Sequence, residues 1–204
     1  YGKFTAEPLE RGYGTTLGGA LRRVLLSSLQ GAAVVQVKFE GVHHEFSTIP
    51  GVKEDVSEII LNLKDVRFKA LTSKQKRVRI DKMGPGTVTA GDISAGTTLD
   101  ILNPDAPIAV LGEGAHIEAE MVVEVGKGYL PAEQNKNEDL PIGWIPVDAV
   151  FSPIERVNVR VEQARVGQRT DYDKLILEVW TDGSVRPDDA VAYAAKIMKD
   201  QVQV

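Results

Sequence analysis

LERGYGTTLGGALRRVLLSS, residues 9–28, decides how the rest of the chain is read. From about Thr15 to Gln30 it has the spacing of an amphipathic helix. Leu17, Leu21, Val24, Leu25 and Ser28 fall on one stripe, and Leu26 and Leu29 carry the apolar surface further round the cylinder. Thr15 or Thr16 can cap the start, and Gly31 can end the helix. A helix this apolar on more than one face must be covered on more than one face. Its own domain covers one; a second copy or a partner covers the rest. Arg22, Arg23 and Leu26 lie three and four residues apart and share a patch. A rigid fork of donors beside a leucine is an interface composition; the alternative is an arginine laid over its own domain.

Outward from this segment, two further helices are expected. One runs from about Val52 to Lys64, with Val52, Val56, Ile59, Ile60 and Leu63 on its buried face and Lys53, Glu54 and Glu58 on the wet side. The other begins near Pro187, a residue suited to a first turn, followed by Asp188 and Asp189 at the positive helix end. Its Ala190, Ala194 and Ala195, with Ile197 and Met198, allow close packing on another helix. Most of the remainder alternates with period two, the mark of half-buried antiparallel strands. Val35, Val37 and Phe39 show it, as do Val66, Phe68 and Ala70, the run Ile117 to Val125, and Val157, Val159 and Val161. Residues 82–116, rich in Gly, Pro and Asp, read as short strands and turns, and 133–139 (EQNKNED) as a mobile polar loop. Helices near both ends around a strand-rich middle make an α+β chain, with one domain built from the two ends and a second inserted between them.

Composition narrows the chemistry. The 204 residues include no Cys, which removes disulfides, thiolate nucleophiles and Cys-based zinc sites and suits a reducing cytoplasm. Hydrophobic residues at 43% and charged residues at 26% are those of a globular domain. No apolar run approaches the length of a bilayer span, so no membrane is expected. The net charge of −5 is the wrong sign for a body that grips nucleic acid by its phosphates.

Four groups of residues are chemically suggestive. GYGTTLGG at 12–19 precedes a helix as a phosphate cradle would, but Leu17 breaks the dinucleotide pattern and the P-loop lysine is missing. His43, His44 and Glu45 could begin a metal site; adjacent strand residues face opposite ways, and only His116 is left elsewhere. Asp171 and Asp173 could hold Mg²⁺ or act as an acid–base pair, or could simply shape a turn. Lys74, Lys76, Arg77 and Arg79 form a basic cluster that is either an edge strand kept soluble by charge or a nucleic-acid contact.

The opening segment, taken with HEFSTIPGVKEDVSEIILNLK at 44–64, GKGYLPA at 126–132 with IPVDAVFSPIERVN at 145–158, and VGQRTDYDKLILEVWTDGS at 166–184, resembles the amino-terminal domain of the alpha subunit of bacterial DNA-directed RNA polymerase. The blocks occur in the family's order and span nearly the whole chain. One departure is Gly19, where the family more often has Asn. The resemblance implies a dimerisation subdomain from 1–30 and 157–204, made of a sheet and two packed helices, and an inserted, mostly β subdomain over 31–156. It implies a homodimer paired through the first and last helices, here Leu17, Leu21, Leu25, Ala194, Ile197 and Met198. It implies contacts to the beta subunit from Arg23, Leu26 and Glu58, and to the beta-prime subunit from Lys64, Val147, Ile154 and Lys174. The expected role is a cytoplasmic assembly scaffold with no catalytic residue, metal or cofactor of its own. The family's DNA-binding carboxy-terminal domain is absent from this chain, so direct DNA binding is not expected.

Overall fold

A computed structural model describes residues 1–135 and 142–203. Along the chain run β1 (Gly2–Leu9), α1 (Tyr13–Ser28), β2 (Gln30–Phe39), α2 (Val56–Lys64), β3 (Phe68–Ala70), β4 (Lys76–Met83), β5 (Gly86–Thr89), β6 (Leu99–Ile101), β7 (Pro107–Leu111), β8 (His116–Lys127), β9 (Tyr129–Leu130), β10 (Trp144–Pro146), β11 (Ala149–Val150), β12 (Ile154–Val166), β13 (Arg169–Thr181) and α3 (Pro187–Val202). The class is α+β. The chain divides into two compact units, one formed by residues 1–30 together with those from Ser152 on, the other by Gly31–Phe151. The return to the first unit falls at Ser152 rather than at 157, because Ile154 already pairs with Thr181. Of the polar run 133–139, residues 136–139 lie outside the described residues.

In the first unit, β1, β13 and β12 form an antiparallel sheet in that order. Val157 pairs with Val179, and Val159 and Phe4 both pair with Leu177. Val157, Leu177 and Val179 are buried with Leu25 and Leu29 of the first helix segment and with Ala190 and Ala194 of α3. α1 packs on β12, β13 and α3. Its approach to the sheet depends on two absent side chains. A Cβ on Gly18 would stand 2.6 Å from Val159 Cγ1 and 2.8 Å from Leu175 Cδ1, and one on Gly14 2.8 Å from Val161 Cγ1. Gly14 and Gly18, one turn apart, therefore let the backbone of α1 lie directly on the strands.

The ends of α1 differ from the sequence reading. The helix starts at Tyr13, before either threonine, after Gly12 in the left-handed region at φ 91°. It stops at Ser28 because Leu29 is already extended (φ −77°, ψ 146°) and leads straight into β2, which contains Gly31. α2 also starts later than expected. Asp55 and Glu58 form a capping box, and this reciprocal pair of bonds fixes the first turn at Val56. Val52, which fits the apolar period, instead bridges to Leu111.

In the second unit the main sheet has the order β4-β8-β2-β3-β6, with β10 also paired to β2. One face carries the large core, including Phe39, Ile59, Leu63, Phe68, Ile80 and Met121. The other is dry at one end: Val35, expected on the same face as Val37 and Phe39, is instead buried with Val122, Ala149 and Phe151 in a second small cluster. Further along that face, charge covers the β4–β8 ladder. Arg77 lies 3.3 Å from Glu120, and Arg79 lies 2.7 Å from Glu118 and 3.1 Å from Asp81.

Candidate partner-binding surfaces

The glycine-rich start of α1 is already occupied by the protein's own carboxylate. Gly12 has no side chain with which to cap the helix, and no acidic residue lies in the first turn. The amides of Gly12 and Gly14 donate instead to Asp173 Oδ2, at 2.9 and 3.0 Å. The Thr16 hydroxyl points the other way and donates to the Gly12 carbonyl at 3.1 Å. The site that resembled a phosphate cradle is thus a helix cap supplied from β13. Asp171 answers to a different partner, the Arg169 guanidinium at 3.1 Å, whose hydrogen bond holds its carboxyl below the ordinary range. The two aspartates are not a joint metal or acid–base site.

Along α1 and α3 the apolar side chains divide by burial. Leu25 and Ala194 are 0% exposed within their own unit. The expectation that they face a second copy is corrected: their surface is used up under the sheet and between the helices. Leu17, Leu21, Ile197 and Met198 are half-buried and keep surface. Two aromatics that sequence reasoning passed over extend the same rows. Tyr13, 54% exposed, lies one turn before Leu17, and Tyr193, 56% exposed, one turn before Ile197. The i−4 spacing was the available signal.

Arg23 is exposed on α1, and Leu26 is half-buried beside it, packed on the unit's core. Glu58 is exposed on α2, where its backbone amide donates to Asp55 Oδ1 at 2.7 Å and its carboxylate accepts from the Asp55 amide at 3.3 Å. Lys64, at the far end of α2, donates to Asp148 Oδ2 at 2.7 Å, and the Tyr129 hydroxyl reaches the same oxygen at 3.5 Å. The Lys64 hydrogen bond, ahead of the opposing burial, keeps the Asp148 carboxyl below its ordinary value. Lys174 lies 3.6 Å from Glu7. Val147 and Ile154 are corrected: at 2% and 5% exposure they belong to the cores of the second and first units and present no surface to a partner.

The remaining suggestive groups have local partners. His43, His44 and Glu45 are exposed, with His44 Nδ1 3.1 Å from the Ser47 hydroxyl and the Glu45 carbonyl accepting from Ser57 at 2.8 Å. Asp81, His116 and Glu118 bring possible ligand atoms within 4.8 Å of one another. Arg79 bonds both carboxylates, and His116 Nε2 sits 2.9 Å from Asp81, so a guanidinium stands where a cation would. In the basic cluster, Arg77 is balanced by Glu120 and lies over the Trp144 ring at 5.6 Å. Paired cations of this kind give little pull on a phosphate backbone. Among the described residues no helix is long and apolar enough to cross a membrane.

Comparison with known proteins adds to this geometry. Residues 35–152 match the family described as RNA polymerase Rpb3/RpoA insert domain. The whole chain is similar to the DNA-directed RNA polymerase subunit alpha of Desulfosudis oleivorans at 61% identity, of Geobacter metallireducens at 60% and of Symbiobacterium thermophilum at 57%. All of this chain is covered in each case, and it spans 60% of the length of the first two relatives and 65% of the third.

Proposed function

The chain belongs to the RNA polymerase Rpb3/RpoA insert domain family, and from that premise we propose that it is a non-catalytic scaffold that homodimerises and gathers the beta and beta-prime subunits of a DNA-directed RNA polymerase. The observation that carries the reading is the surface of α1. It leaves Leu17 and Leu21 half-covered, with Tyr13 and Arg23 exposed on the same helix. An apolar stripe that its own unit covers only in part, rimmed by arginine, has the composition of a protein interface. α3 offers a second such row in Tyr193, Ile197 and Met198.

Two copies pair through these rows of α1 and α3, without Leu25 and Ala194. Arg23, Leu26 and Glu58 meet the beta subunit; Lys64 and Lys174 meet beta-prime. The scaffold works in the cytoplasm and reaches DNA only through its partners, as its net charge of −5 suits.

Co-purification with the beta subunit tests this, using wild type, Arg23→Ala and Leu26→Ala, with the light-scattering mass of each free protein. The expected result is a dimer of the 22.2 kDa chain in all three, with beta retained by wild type and lost by the variants. An Arg23→Ala protein that no longer folds would mean that Arg23 is structural, and a wild type that is monomeric and ignores beta would overturn the reading.

A further inference from the structure

We propose that Asp173 is the positioning residue for dimerisation: its carboxylate holds the first turns of α1 in the pose that a second copy binds. The inference rests on the dimer reading above. α1 begins with no side-chain cap of its own, and its one local support is the Tyr13 amide, which donates to the Glu10 carbonyl at 3.0 Å. Gly12 carries no side chain, the first turn has no acidic residue, and the Thr16 hydroxyl is spent as a donor. The first amides of a helix have no partner within it, and here those of Gly12 and Gly14, on either side of Tyr13, converge on one oxygen of Asp173.

The next supports along the helix are steric. The missing Cβ of Gly14 would stand 3.0 Å from Asp173 Cβ, and that of Gly18 rests over Val159 and Leu175. Tyr13 lies between the two amides that Asp173 holds, and Leu17 follows one turn later. These are the exposed and half-buried apolar residues of the same two turns. Further along, Leu25 is locked into the core, so α1 is secured at its far end whether or not Asp173 is present. Release of Asp173 therefore acts first on Tyr13 and then on Leu17, because it leaves the start of α1 held only by the Tyr13–Glu10 backbone bond and the close seats of Gly14 and Gly18.

The test compares wild type, Asp173→Asn and Asp173→Ala. Sedimentation equilibrium gives the dimer Kd, and hydrogen exchange reads the Gly12 and Gly14 amides. Loss of a cap in both copies raises the dimer Kd roughly tenfold or more in Asp173→Ala, with faster exchange at both amides. Asp173→Asn, which keeps a neutral oxygen acceptor, falls between. A Kd unchanged within about twofold alongside a lowered melting temperature makes Asp173 purely structural and overturns the proposal. Should Asp173→Ala fail to fold, the Asn variant decides alone by the same criterion. A wild type that stays monomeric at every concentration sinks the dimer reading itself, an outcome visible before any variant is compared.

Discussion

Asp173 and Gly14, 159 residues apart in sequence, meet at 3.0 Å, carboxylate to amide. The start of the first helix is thus fixed by a residue from the far end of the chain. This explains why α1 begins two residues before the first threonine that could have capped it. It also gives the glycines of the opening segment distinct jobs, which can be separated by substitution.

Gly18 and Gly19 are adjacent and predict opposite outcomes. A Cβ at Gly19 meets nothing within 4 Å, so Gly19→Ala gains the helix propensity alone and stabilises by about 1 kcal/mol. A Cβ at Gly18 runs into Val159 and Leu175, and overpacking of about 1–3 kcal/mol outweighs the same gain. Thermal unfolding of the two variants should move in opposite directions; equal stabilisation would mean that α1 is not seated closely on the sheet.

Leu25 and Leu21 separate folding from pairing. Leu25 is wholly buried, and Leu25→Ala should cost about 3 kcal/mol in denaturant unfolding of the first unit. Leu21 is half-buried; Leu21→Ala should cost about 1 kcal/mol in the monomer and show its larger effect as a weaker dimer in sedimentation. A Leu21 variant that unfolds as readily as the Leu25 variant would place Leu21 in the core.

Glu58 has two roles that a simple alanine scan would confuse. Its side chain closes the capping box on Asp55, so Glu58→Ala loses about 1 kcal/mol of stability before any partner is added. Glu58→Gln keeps an acceptor for the Asp55 amide and removes the charge. Circular dichroism melts should show the Gln variant near wild type, and beta-subunit capture should be weakened in both if the charge itself makes the contact.

The Lys64–Asp148 bridge predicts an acid-side dependence. The folded Asp148 carboxyl lies below its ordinary value of 3.8, so its contribution is present above that value and disappears as pH falls through the lowered one. Both side chains are partly exposed, which limits the contribution to about 0.5 kcal/mol. The stability gap between wild type and Asp148→Asn should stay constant from about pH 7 to about pH 5 and close below about pH 4. A gap that instead closes on raising the pH would exclude this bridge as its source.

Periodicity made the elements legible and left their ends and their depth obscure. The 3.6-residue repeat located α1 and α2, Pro187 and the acidic residues after it located α3, and the alternation located β2, β8 and β12. Val52 fits the repeat of α2 yet stands outside it, since the Asp55–Glu58 bonds, not apolar spacing, set the first turn. Leu21 and Leu25 are indistinguishable in sequence; only the seating of α1 through Gly14 and Gly18 decides which is covered. Val147 and Ile154 read as contact residues by resemblance, but burial puts them in cores. The role of Asp173 could not be read locally, because the amides that it serves belong to residues 12 and 14.

The first unit is written in two pieces with the second unit between them, and this orders events during synthesis. β1 needs β13, and α1 needs β12 and β13, yet none of these exists until Phe151 and everything before it has been made. At ribosomal speed the intervening stretch takes on the order of ten seconds. Through that interval the leucine-bearing α1 segment is exported without its sheet, while the second unit, contiguous in sequence, has every strand it requires. The nascent chain therefore finishes the later-starting unit first, and any factor that shields emerging apolar segments meets α1 before it meets the second unit.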